Sequence, residues 1–187
     1  MMSDIHLRDV AVTLDRVADL SDADRERVRL LSLAVYPPEQ LADWPGRSVE
    51  WSTPEWCARV RDKEGILVSY VGVYVREAEF DGRPVRVAGI GNVKTHPGAR
   101  RRGLAALGIR RAIEFFHEQP GIAFALLVCE GRLLGYYARL GWREFGGQLL
   151  VRQLGAVAEY TLSRAMTHGV ESEGPAAGVI DLCGPPW

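Results

Sequence analysis

Residues 93–105 read Val-Lys-Thr-His-Pro-Gly-Ala-Arg-Arg-Arg-Gly-Leu-Ala, and no other stretch constrains the chain as tightly. A β-like run ends at Thr95, a Pro-Gly break follows, and Gly103 opens an apolar helical stretch after Arg100, Arg101 and Arg102. The N–H groups of a helix's first turn have no partner within the helix and point outward at its positive end. They attract phosphate. A glycine lets the backbone approach a ligand closely, and arginines add charge and forked hydrogen bonds. This pattern predicts a polyphosphate cradle between a strand and a helix.

The flanking elements follow from periodicity and punctuation. His6–Leu14 reads as a strand. Ser21 caps a helix that runs to Val35, with Asp22 and Asp24 in its first turn, and Tyr36-Pro37-Pro38 ends it. Residues 37–54 are a proline-rich loop, and such loops often carry function. Thr53 and Pro54 have the residue types of an N-cap and first helical position, which predicts a short second helix there. Gly65–Phe80 alternates as one or two strands, Asp81-Gly82 marks a hairpin turn, and Pro84–Thr95 returns. Gly89-Ile90-Gly91 inside that strand suggests a bulge or a close neighbour to the backbone. Gly103–His117 reads as a helix, Ile122–Cys129 as a strand buried on both faces, and Leu133–Leu140 as a short helix stopped by Gly141. Strands follow near Gln148–Gln153 and Ala158–Ala165, then a tail from His168 rich in Gly, Pro and Glu. A mixed sheet flanked by helices is the economical way to bury such strands.

Bulk properties narrow the chemistry. A length of 187 residues predicts one domain, and 47% apolar residues suffice for its core. The net charge of −1 argues against a general nucleic-acid binder, whose surface carries a basic excess. Cys57, Cys129 and Cys183 are odd in number and widely spaced, which predicts reduced thiols and no metal site. No apolar run approaches the length of a membrane span, and the expected location is the cytoplasm.

Arg100-Arg101-Arg102-Gly103-Leu104-Ala105 fits Arg/Gln-x-x-Gly-x-Gly/Ala and resembles the signature of the GCN5-related N-acetyltransferase (GNAT) superfamily. Val93-Lys94-Thr95-His96-Pro97 resembles the end of that family's preceding strand. Tyr136-Tyr137-Ala138-Arg139-Leu140-Gly141-Trp142 resembles its second signature. Together with the element order, the likeness spans most of the chain. It implies a GNAT fold, with a mixed sheet of six to seven strands and about four helices. It implies acetyl-CoA as cofactor, held by Val93, Lys94 and Thr95 on a strand that splays from its neighbour and by Arg100 to Ala105 at the diphosphate. It also implies Tyr137 as the acid that protonates the departing thiolate. A phenol, with a pKa near about 10, can serve in that way.

Within the superfamily the chain resembles the aminoglycoside 2'-N-acetyltransferases. Tyr137-Ala138-x-x-Gly141-Trp142 matches that branch's motif, Glu50 and Glu55-Trp56 match the spacing of two acids there, and the sequence given ends in Trp187 as that branch does. The resemblance implies that Glu50, Glu55, Trp56 and Trp187, with its carboxylate, contact the aminosugar. Carboxylates suit a substrate bearing several ammonium groups, and an indole offers a face to a sugar or cation. Gly91 stands where that branch has an acid that accepts the substrate's proton, which leaves the base among Glu130, Glu159 and the Trp187 carboxylate. Gly184-Pro185-Pro186 replaces a longer acidic stretch, which predicts a narrow range and a small aminoglycoside such as kasugamycin. A different amine acceptor (a protein N-terminus, a polyamine or an amino acid) and a non-catalytic acetyl-CoA-binding module are the competing readings. The family's habit implies a homodimer.

Overall fold

A computed structural model of the chain describes residues 9–187. It folds as two compact units, one comprising the described residues up to Arg47 with Pro54–Val73 and Asn92–Ala112, the other Ser48–Thr53, Tyr74–Gly91 and Ile113–Trp187.

The first unit holds β1 (Ala11–Arg16), α1 (Asp22–Val35), the four-residue α2 (Pro38–Leu41) and β2 (Trp56–Arg61). It also takes the first half of β3 (Leu67–Phe80), the end of β4 (Arg83–Thr95) and the start of α3 (Leu104–Glu118). Ser21 caps α1 by accepting from the Asp24 N–H. β2 runs antiparallel to β1, from Ala11↔Arg61 to Arg16↔Trp56, and antiparallel to β3, from Trp56↔Val73 to Arg61↔Leu67. Leu20, Leu31, Cys57, Leu67 and Tyr70 form one core cluster, and Val60, Val68, Ala99 and Leu104 another. The buried Arg59 bridges Asp15 at 2.8 Å and Asp24 at 2.9 Å, and Arg61 reaches Asp24 at 3.0 Å. These arginines hold the Asp24 carboxyl far below the usual carboxylate range and tie the start of α1 to β2.

The second unit contains the β3–β4 hairpin end, β5 (Ile122–Cys129), α4 (Leu134–Ala138), β6 (Arg143–Glu144), β7 (Gln148–Gln153), β8 (Ala156–Glu159), β9 (Arg164–Gly169) and β10 (Val179–Asp181). Its strand order is β6-β9-β5-β4-β3-β10-β7-β8. β4 and β5 are parallel, β9 runs antiparallel to β5, and β10 pairs antiparallel with β3 and parallel with β7. Asp81 and Gly82 at the hairpin both have positive φ, 49° and 71°, as a two-residue turn matched to strand twist requires. The core gathers Tyr74, Phe124, Leu126, Phe145, Leu149, Ile180, Leu182 and Trp187.

Several expectations need correction. No helix starts at Thr53-Pro54: residues 51–54 belong to no helix or strand and β2 begins at Trp56. The cap signal is local, whereas Cys57, Ala58, Arg59 and Val60 are all buried between two strands, and that burial decides the outcome. The first strand starts at Ala11, and residues 6–8 of the expected segment lie outside the described residues. Ala158–Ala165 is two strands, β8 and β9, separated by a turn near Leu162. The described residues form ten strands, because β2, β6 and β10 escape a periodicity reading, the last two being only two and three residues long.

Candidate active site

β4 ends at Thr95, and His96 caps a single 3-10 turn over Pro97–Ala99 by accepting from the Gly98 N–H at 3.2 Å. The backbone then turns sharply. Arg101 has φ 61° and Gly103 φ 76°, either side of Arg102. A residue with a Cβ pays for that conformation, and alternation of hand is what turns successive N–H groups toward one point. Among the described residues, the N–H groups of Gly103, Leu104 and Ala105 have no hydrogen-bond partner, and the first bond of α3 is Leu107 N–H to Gly103 C=O at 3.2 Å. Arg100, Arg101 and Gly103 are exposed, and Arg102 is half-buried. Arg100 Nε donates to the Thr95 carbonyl at 3.3 Å, which fastens the turn to the strand end. Donors, charge and open backbone therefore coincide where a diphosphate needs them.

The strand before the cradle is held from one side. The buried Ser69 of β3 donates through Oγ to the Lys94 carbonyl at 2.7 Å and lies 2.9 Å from Thr95 Oγ1. Tyr36 Oη reaches the Val93 carbonyl at 3.5 Å. The Lys94 side chain turns into the first unit. Its Nζ donates to Ser32 Oγ at 2.7 Å and stands 5.2 Å from the centre of the Tyr70 ring. Burial lowers its pKa to about 8. Lys94 is thus brought to α1 rather than to the exposed arginine turn. Asn92, just upstream, has φ 53° inside β4. The glycine-rich run hinted at an irregularity, and asparagine is a residue that tolerates this conformation.

In the second unit, pairing of β4 with β5 runs from Arg86↔Ile122 only to Gly89↔Leu126, although β5 continues to Cys129. The two strands are therefore paired only as far as Gly89. Tyr137 lies on α4, is 6% exposed, and packs edge-on to Tyr136 and to Trp142. The Trp142 N–H donates to the Tyr137 carbonyl at 3.2 Å, and Gly141, with φ 89°, makes that reversal. The second signature is therefore one folded turn that fixes the tyrosine. His168, unmarked in the sequence, joins this group: its ring is 5.3 Å from that of Trp142, and its Nδ1 is 2.7 Å from the Gly169 carbonyl. That contact makes Nδ1 the donor, and burial lowers the pKa, so a neutral imidazole with an acceptor Nε2 results.

The acceptor-side candidates are scattered. Glu50 is exposed, and its backbone is clamped by Gln153, which accepts from the Glu50 N–H at 2.9 Å and donates to its carbonyl at 3.0 Å. Glu55 is exposed and paired with Arg16 at 2.9 Å, and Arg16 also stands 5.0 Å from the Trp56 ring. Trp187 is 3% exposed, with Tyr74 stacked on it at 5.2 Å, so its indole presents no open face. Glu130 is paired with Arg132 at 2.6 Å, which lowers its carboxyl below the usual range and makes it a poor base. Glu159 accepts from Gln148 Nε2 at 3.1 Å. The described residues contain no cluster able to hold a metal and no helix long and apolar enough to cross a membrane.

Comparison with known proteins places this geometry. Residues 21–145 match the family model described as "Acetyltransferase (GNAT) domain". The chain belongs to that family. It is an acetyl-CoA-dependent N-acetyltransferase. Solved structures carry the same fold. YhbS of Escherichia coli, a GNAT-family N-acetyltransferase in complex with CoA, is 14% identical with a TM-score of 0.61, over 98% of this chain and 93% of that one. An acyl-CoA N-acyltransferase from Pseudomonas aeruginosa is 17% identical with a TM-score of 0.57, over 86% and 99%. The ribosomal-protein-S18-alanine N-acetyltransferase of Escherichia coli is 14% identical with a TM-score of 0.53, over 86% and 94%. No curated protein matches. One of these structures is named for a protein acceptor and the other two for none, and a fold does not fix an acceptor, which must be argued from side chains. The unpaired N–H groups of Gly103 to Ala105 and the exposed arginines fit the diphosphate of the family's cofactor.

Proposed function

We propose that this GNAT enzyme acetylates a primary amine of an aminoglycoside-type substrate by direct attack, with a narrow range that favours small members having few amines, such as kasugamycin. The observation that supports the transferase half is the turn that opens α3, where the unpaired N–H groups of Gly103, Leu104 and Ala105 and the exposed Arg100 and Arg101 would hold a diphosphate. When bound, acetyl-CoA supplies the activated acetyl group. The β4 backbone from Val93 to Thr95, bent at Asn92 and held by Ser69, positions the pantetheine arm. Tyr137 Oη delivers a proton to the sulfur as it leaves, a role taken from the second signature.

The acceptor half rests on charge and resemblance. Glu39, Asp43, Glu50 and Glu55, all in or beside the loop after α1, are exposed. Exposed carboxylates draw ammonium groups and steer their encounter. Glu55 already engages Arg16, which leaves fewer carboxylates for the substrate and favours one with few amines. Thiol release from acetyl-CoA across a panel of kasugamycin, larger aminoglycosides, polyamines and peptide N-termini tests the reading. Faster turnover of kasugamycin than of polyamine-rich aminoglycosides is expected. Turnover confined to peptides or polyamines overturns the acceptor, and cofactor binding without turnover of any amine overturns catalysis.

A further inference from the structure

Trp142, in the second unit, carries a buried donor that no protein atom meets. The residue is 2% exposed, and among the described residues nothing accepts a hydrogen bond from its Nε1–H. Buried N–H groups of folded proteins are nearly always bonded, to protein or to an ordered water. An indole is held in place when its N–H is satisfied, and otherwise carries the full cost of desolvating that group.

His168, in the same unit, offers the acceptor. β6 pairs with β9 through Arg143↔Thr167 and Glu144↔Met166. One residue further along that register Trp142 lies across from His168, and the two rings stand 5.3 Å apart with planes tilted by 58°. A ladder holds such cross-strand neighbours side by side. His168 Nδ1 donates to the Gly169 carbonyl at 2.7 Å, so Nε2 is the accepting nitrogen. Nε2 faces the turn that leads into Trp142, because a Cβ built on Gly141 would fall 3.1 Å from it. Trp142 Nε1 and His168 Nε2 are not directly bonded. Two hydrogen bonds of about 2.9 Å let one water span nitrogens roughly 5 Å apart.

We propose that one bound water joins the Trp142 Nε1–H to His168 Nε2, and that His168 acts through it as a positioning residue for Tyr137. The inference rests on the functional reading above, which makes Tyr137 the acid. The chain of contacts is short. His168 holds the indole through the water. Trp142 donates its backbone N–H to the Tyr137 carbonyl at 3.2 Å, and its ring meets the Tyr137 ring edge-on at 6.5 Å. An indole that swings carries the phenol with it, and misplacing a reacting group by about 1 Å can cost about 10²-fold in rate. The imidazole itself gives no proton to the substrate.

Proton–nitrogen correlation NMR of the full chain tests the bridge, with Trp142→Phe identifying the Trp142 indole signal by its loss. In the unaltered protein that N–H should show magnetisation transfer from a long-lived water. His168→Phe keeps a ring but removes the acceptor, and should abolish the transfer. His168→Gln loses the ring but keeps an acceptor near the place of Nε2, and should preserve it. With an amine the enzyme accepts, kcat should fall at least about tenfold in His168→Phe and stay within about threefold in His168→Gln, with KM for acetyl-CoA unchanged in both. A role confined to packing predicts the reverse order, since phenylalanine preserves the ring contact. If His168→Phe does not fold, His168→Leu takes its place. No water transfer in the unaltered protein overturns the bridge whatever the variants do. Equal kcat in the phenylalanine and glutamine variants overturns the positioning role. Normal turnover by Tyr137→Phe defeats the functional reading instead, and the water signal is independent of that result.

Discussion

Lys94 Nζ on β4 donates to Ser32 Oγ on α1 at 2.7 Å, and this contact joins the strand that ends at the cradle to the first helix of its unit. The lysine is 6% exposed, and among the described residues no carboxylate pairs with it. Burial lowers its pKa to about 8 from 10.5. The folded value lies below the unfolded one, so between these limits the unfolded chain binds more protons and stability rises with pH. Below about pH 8 both states are protonated and the desolvation cost is fully present. Lys94→Met, of similar length and uncharged, should stabilise the protein at pH 7 by on the order of 1 to 3 kcal/mol. The gain should shrink as pH approaches 10. Urea melts of both proteins at the two pH values check this. A gain independent of pH would show that the ammonium is not what burial penalises.

Gly89→Ala is the sharpest packing test. The added Cβ would meet three indole atoms at 2.2 to 2.4 Å, and Trp187 cannot retreat while Tyr74 covers it. Such overpacking costs about 1 to 3 kcal/mol, and a thermal melt should register a loss of several degrees. Gly121→Ala is the control: it has nothing within 4 Å, though φ is +75°, so only backbone strain applies. Equal losses for the two would remove Trp187 from the account.

The contrast between legible and illegible parts follows from these contacts. The cap at Ser21, the hairpin at Asp81-Gly82 and the buried run of β5 are written locally, in residues whose own conformational needs decide the outcome. β2 was hidden because its partners β1 and β3 supply the burial that overrides a helix-start signal at Thr53-Pro54. β6 and β10 are too short to show a period. The cradle was readable because glycine and arginine carry its chemistry in one hexapeptide. The packing against β4 was half readable: Gly89-Ile90-Gly91 announced a close neighbour, but the neighbour is Trp187, nearly a hundred residues away along the chain. Lys94 looked like a cofactor contact, and only the fold reveals that its side chain turns to Ser32.

The turn at residues 101–103 makes a paired prediction. Gly103→Ala keeps every charge but places a Cβ on a backbone with φ 76°, a strain of about 1 to 2 kcal/mol, where diphosphate must approach. Arg101→Gly removes a guanidinium but relieves the strain at φ 61°. Both should weaken acetyl-CoA binding about tenfold in calorimetry. Their stabilities should move in opposite directions, Gly103→Ala melting below the unaltered protein and Arg101→Gly at or above it. Added salt should reduce the difference in affinity for Arg101→Gly, whose lost contact is exposed and ionic, and leave that for Gly103→Ala in place.

Tyr137→Phe isolates the proton that the leaving sulfur needs. The residue is 6% exposed, and Trp142 fixes it through its N–H on the Tyr137 carbonyl at 3.2 Å and by an edge-on ring contact at 6.5 Å. A phenyl ring preserves both contacts and removes only Oη, so the melting temperature should shift by no more than a few degrees, and the affinity for acetyl-CoA should change by less than about twofold. Loss of a positioned acid typically costs about 10²-fold or more in rate. With an accepted amine, kcat in a thiol-release assay should therefore fall by about that factor while KM for acetyl-CoA stays put. The neutral His168, whose Nδ1–H is committed to the Gly169 carbonyl and whose Nε2 is an acceptor, has no proton to give, so His168→Gln should leave kcat within a few-fold. Unchanged turnover in Tyr137→Phe would remove the phenol from the role of acid.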